Sequence, residues 1–155
     1  MEITIPGSST GKIKHLVLDY NGTIACGGKL IEGVAERLIR LSGQLSIHVL
    51  TADTYGSVHA QCAGLGVEVH VIGKGEQDKA KQAFVISLGL GECIAIGNGR
   101  NDVLMLKDSF LGFALMQEEG LSVKTMVVAD VVFKSILDAL DAIIEPNRLI
   151  ATLRN

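Results

Sequence analysis

Asp19, Thr51, Lys79, Asn98 and Asp102 are residue types that together handle phosphate and a hard cation. Asp19 ends the apolar run HLVLD (15–19) and Thr51 ends SIHVLT (46–51). Asn98 and Asp102 stand in GNGRND (97–102), directly after CIAIG (93–97). A carboxylate can attack phosphorus or hold a cation. A threonine hydroxyl can donate to a phosphoryl oxygen, and amide and carboxylate oxygens are the ligands Mg²⁺ prefers. Lys79 opens a helical segment and can neutralise phosphate charge; Lys74 and Lys81 are nearby substitutes, but spacing and the preceding EQD favour Lys79. Singly, an Asp or Thr after a strand is more often a turn former or a helix cap. Three such strand ends at one sheet edge make a site.

To bring them together, the apolar runs must be parallel strands, because ligands bind beyond the carboxyl ends of such strands. The runs at 15–19, 46–51, 67–73, 93–97, 111–116 and 126–130 read as strands. Helical spacing fills the gaps: Val34, Leu38 and Leu41 share a face in 33–43, and Ala80, Phe84, Val85 and Leu88 do so in 79–90. Gly43 and Gly89 are helix stops. The stretch 133–153 reads as one or two closing helices interrupted at Pro146. MEITI alternates like an edge strand and forms a hairpin with KIKHLVL through PGSSTG. The expected fold is α/β: a three-layer, doubly wound, mostly parallel sheet in a single domain, 1–155.

Composition narrows the function classes. The net charge is −3 with no basic block, which argues against duplex nucleic acid as a partner. No apolar stretch reaches the ~18 residues of a membrane span, and the N-terminus lacks the layout of a signal peptide. Cys26, Cys62 and Cys93 are odd in number and widely spaced, as in reduced thiols of a cytoplasmic protein. GSSTGKI (7–13) imitates a phosphate loop. It has three residues between its glycines instead of four, and Ile13 follows the lysine where Ser or Thr is needed.

The residues resemble the haloacid dehalogenase (HAD) superfamily of phosphotransferases. DYNGT (19–23) is similar to its D-x-x-G-T motif, VLT (49–51) to its second, EQDKAKQAFV (76–85) to its third and GNGRND to its fourth. The match is closest to the phosphorylation domain of P-type ATPases, and it runs over about residues 14 to 140. By resemblance, Asp19 attacks phosphorus and the backbone carbonyl of Asn21 binds Mg²⁺ with Asp19. Thr51, with Ala52, holds the phosphoryl group, Lys79 steadies the charge, and Asn98 and Asp102 hold the cation or its second shell. The resemblance implies a Mg²⁺-dependent phosphatase acting on a small phosphorylated substrate or a phosphoprotein.

Two departures stand out. Phosphatases of the family carry Asp where this chain has Asn21, and Asp where it has Asn98. An amide cannot titrate, so hydrolysis of the phosphoenzyme is expected to be slow and cation affinity lower. The competing reading is a degenerate domain that binds a phospho-ligand or a protein without turnover. A response-regulator receiver also uses Asp, Thr and Lys around Mg²⁺, but its phosphorylated Asp follows the third strand. The gaps from Asp19 to Thr51 and from Thr51 to Lys79 are too short for a cap domain. The site is therefore open, with TIACGGKL (23–30) as the local flap, and self-association would cover it. Asp53 is either a turn residue of the site or the cap of a helix from about residue 55. Arg100 reads as solvent-facing, QEEG (117–120) as a solvated turn, and His48 and His70 as structural strand residues.

Overall fold

A computed structural model of the chain describes residues 1–53 and 56–155. A hairpin of β1 (Glu2–Thr4) and β2 (Thr10–Lys12) precedes the main sheet. Then follow β3 (His15–Asp19), a small hairpin of β4 (Ala25–Cys26) and β5 (Lys29–Leu30), α1 (Val34–Ser42), β6 (Ser46–Thr51) and α2 (Ser57–Cys62). Next come β7 (Val67–Val71), α3 (Gln77–Leu88), β8 (Cys93–Gly97), a 3₁₀ turn (Arg100–Asp102) and α4 (Val103–Asp108). The chain continues through β9 (Leu111–Leu115), α5 (Val123–Val128) and β10 (Val131–Phe133), and closes with α6 (Ile136–Ile144) and α7 (Asn147–Leu153).

The six-stranded sheet has the order β10-β9-β8-β3-β6-β7, and every pairing in it is parallel. Helices cover both faces. Leu16, Leu18, Ile47, Val49, Ile94 and Ile96 pack on one side with Val34, Leu38 and Leu41 of α1 and Ile136, Leu140 and Ile143 of α6. Val17, Leu50 and Ala95 pack on the other with Val85 of α3 and Met105 and Leu106 of α4. Each aliphatic side chain taken from water this way contributes about 1.5–3 kcal/mol. The chain winds outward from β3 to β7, then returns to place β8 on the other flank of β3. The carboxyl ends of β3 and β8 therefore diverge at the switch point, where a ligand cleft opens.

The doubly wound sheet is the expected one. Strands β7 and β9 end one or two residues earlier than expected, and larger differences lie near the two ends of the chain. The run 126–130 is mostly helix: α5 ends at Val128, and the strand is Val131–Phe133. A five-residue apolar run does not by itself distinguish strand from helix. Here Met126 and Val127 face solvent while Thr125 is buried and donates to the Gly99 carbonyl at 2.6 Å. Phe133 belongs to that strand, so α6 starts later than expected, where the Ser135 hydroxyl accepts the Asp138 N–H. The N-terminal hairpin pairs Glu2–Thr4 with Thr10–Lys12 only, and β3 joins the central sheet instead. No described helix is long and apolar enough to cross a membrane.

Candidate active site

Asp19 leaves β3 at the switch point, 9% exposed. Lys81 lies on α3 one turn before Val85, on the face turned to the sheet, and is 1% exposed. Its ammonium donates to Asp19 Oδ1 and to Asp102 Oδ1, both at 2.6 Å. Asp102, fully buried, accepts the backbone N–H groups of Asn98 (2.9 Å) and Gly99 (2.8 Å) on its other oxygen. That carboxylate holds the loop after β8 in place. Asp19, Asn21, Thr51, Ala52, Gln77, Lys81, Asn98, Gly99 and Asn101 line one cavity of about 170 Å³.

Two sequence expectations need correction. Lys79 does not enter the site: it is 64% exposed and pairs with Glu76 at 2.6 Å on the outer face of α3. The site lysine is Lys81, which the helical period places with Val85. Asp102, expected among the cation ligands, has both oxygens committed to Lys81 and to two N–H groups. It does not line the cavity with Asp19 and Asn98, and it braces Lys81 and the Asn98 loop from behind. The other expected residues, Asp19, Asn21, Thr51, Ala52 and Asn98, do meet at one cavity.

The site is short of positive charge. Two buried carboxylates share one ammonium, leaving a net charge of −1. Burial, then the neighbouring Asp102 carboxylate, push the Asp19 pKa up to about 7 against the pull of Lys81. Burial also opposes the Lys81 charge, but Asp102 and Asp19 outweigh it and raise its pKa above the ordinary value. The Thr23 hydroxyl lies 3.2 Å from Asp19 Oδ2 and 3.3 Å from Asn98 Oδ1, and its single proton serves one of them at a time. Asn98 is oriented by its own N–H donation to the Gly120 carbonyl at 3.0 Å. Oxygen donors, missing charge and a competed-for proton all fit a hard divalent cation held by Asp19 and Asn98.

Several contributors escaped sequence reading. Gln77 lines the cavity and accepts from Asn101 at 2.8 Å. Gln117 donates to the carbonyls of Gly22 (3.2 Å) and Thr23 (3.0 Å). Glu118 and Glu119 accept from Cys26 Sγ and the Gly27 N–H of the β4–β5 hairpin. QEEG is therefore a strap over the loop after Asp19, not only a solvated turn. Thr51 accepts the Asp53 N–H at 3.0 Å, which leaves its hydroxyl proton free to donate into the cavity. Asp53 also accepts from Ser57 Oγ at the start of α2. Position 55, where a helix start was expected, lies outside the described residues.

Gly22 has φ +79°, and a Cβ there would run into the Asn98 amide. Gly97 similarly leaves room for the Asp102 carboxylate against the backbone. Gly22→Ala should lose about 1–2 kcal/mol from the left-handed backbone alone. It should also displace Asn98, so Mg²⁺ affinity should fall with stability. Urea unfolding with and without Mg²⁺ measures both, and unchanged values would contradict this geometry.

No family model matches the chain. In Methanocaldococcus jannaschii, the uncharacterized protein MJ0073 is 50% identical over 62 residues, 40% of this chain and 67% of that protein. A second uncharacterized protein there, MJ0072, is 54% identical over 39 residues, 25% of this chain and 89% of that protein. Among solved structures, the cobalt-bound deoxy-D-mannose-octulosonate 8-phosphate phosphatase of Haemophilus influenzae matches with a TM-score of 0.72 at 15% identity, covering 93% of this chain and 94% of that one. The 3-deoxy-D-manno-octulosonate 8-phosphate phosphatase of Moraxella catarrhalis, solved with magnesium, phosphate and the sugar acid, gives 0.69 at 16% identity over 90% of each chain. A HAD-superfamily (subfamily III A) hydrolase structure from Legionella pneumophila gives 0.69 at 18% identity, covering 92% and 88%.

Proposed function

Because this chain has the fold of the haloacid dehalogenase superfamily, we propose that it is a Mg²⁺-dependent phosphatase that forms an aspartyl-phosphate on Asp19. The observation that carries this reading is the buried Asp19–Lys81–Asp102 array opening into a cavity that Thr51 and Asn98 also line. The Asp19 carboxylate attacks phosphorus, the bond to the leaving oxygen breaks, and the alkoxide takes a proton from water and departs as the alcohol. Lys81 offsets the repulsion between carboxylate and phosphate. Thr51 donates its hydroxyl to the transferring group, and Ala52 forms the cavity wall beside it. Asp19, the Asn21 carbonyl and the Asn98 amide oxygen would hold Mg²⁺. The bound ion would polarise the phosphoryl oxygens and supply the positive charge the site lacks. Water then hydrolyses the acyl phosphate and regenerates Asp19.

The substrate class is a phosphate monoester, either a small molecule or a phosphorylated protein side chain. The described residues form no separate cap domain over the cavity, so a large ester fits, as does coverage by a second copy of the chain. Three free cysteines support a reducing, cytoplasmic setting.

Asp19→Asn is the direct test. Hydrolysis of p-nitrophenyl phosphate with Mg²⁺ should fall by ~10³-fold or more, and full activity in the variant would remove Asp19 as nucleophile. The metal-free variant should also be the more stable protein at pH 8. A carboxyl whose folded pKa is raised favours folding below its unfolded pKa of 3.8 and loses that contribution as pH climbs toward about 7. At about 1.4 kcal/mol per pH unit, the gain is bounded near ~4 kcal/mol, and it should shrink between pH 7 and pH 4.

A further inference from the structure

On the sheet face beneath α3, three adjacent strands bring histidines together. His15 lies on β3, His48 on β6 and His70 on β7, with Glu68 two residues before His70. The pairing register sets His48 opposite Glu68 and Leu50 opposite His70. His48 Nδ1 is 3.1 Å from His70 Nε2, and Glu68 Oε2 is 3.6 Å from each. We propose that His48, His70 and Glu68 form a binding site for one Zn²⁺ ion, separate from the Asp19 cavity.

The three spacings match a metal triangle. Bonds of ~2.0–2.2 Å from imidazole and carboxylate to tetrahedral zinc put neighbouring ligand atoms about 3.3–3.5 Å apart. An ion between these atoms needs only small side-chain movements. Two imidazoles and one carboxylate suit zinc among the abundant divalent ions and suit Mg²⁺ poorly. His48 is 7% exposed, and burial holds its pKa below the ordinary value, leaving a neutral ring with a lone pair to give.

The support around that ring is also present. His48 Nε2 lies 3.1 Å from His15 Nδ1, so it can donate there and leave Nδ1 for the metal. The Phe84 ring packs on His48 and His70, with centroids 5.3 and 4.6 Å away, and closes the inner side. His70 and Glu68, 32% and 68% exposed, leave the fourth position to water. His48 lies three residues before Thr51, about 10 Å along the strand, so the two sites do not share ligands. An ion here would tie the edge strand β7 to β6 beside α3, the helix that carries Lys81. The same atoms can instead hold one another through N–H···N bonds, and the test separates the two cases.

The whole protein, stripped of metal and kept in excess Mg²⁺ to satisfy the Asp19 cavity, is titrated with Co²⁺ followed in the visible and then with Zn²⁺ in competition. One equivalent should bind with the absorption of a tetrahedral N/O site, without intense thiolate charge-transfer bands, and Zn²⁺ should displace it while raising Tm. His70→Ala and Glu68→Gln, both at partly exposed positions, should each weaken binding by ~10-fold or more. Absence of stoichiometric binding, thiolate bands, or undiminished affinity in both variants overturns the assignment.

Discussion

Lys81→Met is expected to remove phosphatase activity, by on the order of 10²–10³-fold or more, while Lys79→Met leaves it within about twofold. Lys81 is the only cation between two buried carboxylates among the described residues, and its loss leaves both uncompensated. Deleting one partner of a buried pair typically costs about 3–5 kcal/mol. Lys79 belongs to an exposed pair with Glu76, of a kind worth about 0–1 kcal/mol. The stability deficit of Lys81→Met should shrink as pH falls. Asp19, already raised to about 7 beside Lys81, is held higher still without it, and protonation below that point removes the uncompensated charge. Urea unfolding from pH 8 to pH 5, with turnover measured at saturating Mg²⁺, checks both parts. Equal activity losses in the two variants would return the lysine role to an open question.

Asn21→Asp is expected to raise turnover. Asn21 is exposed and lines the cavity with Asp19, on a loop held by the Gly22 N–H to the Ala25 carbonyl at 2.8 Å. Its amide can orient water but cannot take the proton that hydrolysis of the aspartyl-phosphate releases. A general base contributes about 10²–10⁴-fold to such a step. A carboxylate with a reference pKa near ~3.9 is ionised at neutral pH and able to serve. A gain of ~10–100-fold allows for imperfect placement. The extra negative charge in a site already short of positive charge should also tighten Mg²⁺ binding. Acid-quench labelling with a reactive phosphoryl donor should trap more covalent phosphate on the native protein than on the variant. If the native protein carries no label and the variant gains no turnover, binding without catalysis becomes the better account.

The parallel sheet was legible because each buried strand is a short aliphatic run ending in a polar residue. That pattern survives whatever packs beside it. HLVLD and SIHVLT became β3 and β6 at their expected bounds, CIAIG became β8, and their ends delivered Asp19, Thr51 and Asn98 to one cavity. Strand or helix could not be decided from MVVAD, because both bury apolar residues and five positions hold too little of either period. Lys81 was legible in part: it shares the 3.6-residue period of Val85, an odd place for a lysine unless a carboxylate waits beneath it.

Only the tertiary structure paired that lysine with Asp19, 62 positions away in the chain, and with Asp102. It also placed Asp102 behind the cavity as a brace, with two N–H groups of its own loop on one oxygen and Lys81 on the other. The histidines make the same point. His48 and His70 looked like ordinary strand residues and His15 carried no signal, and only the lateral pairing of β3, β6 and β7 set the three side by side. Sequence periodicity determines which way a side chain points along its own strand. Which strands become neighbours is set by the handedness of the crossovers and by the two helical layers competing for the sheet's faces, and those are properties of the whole chain.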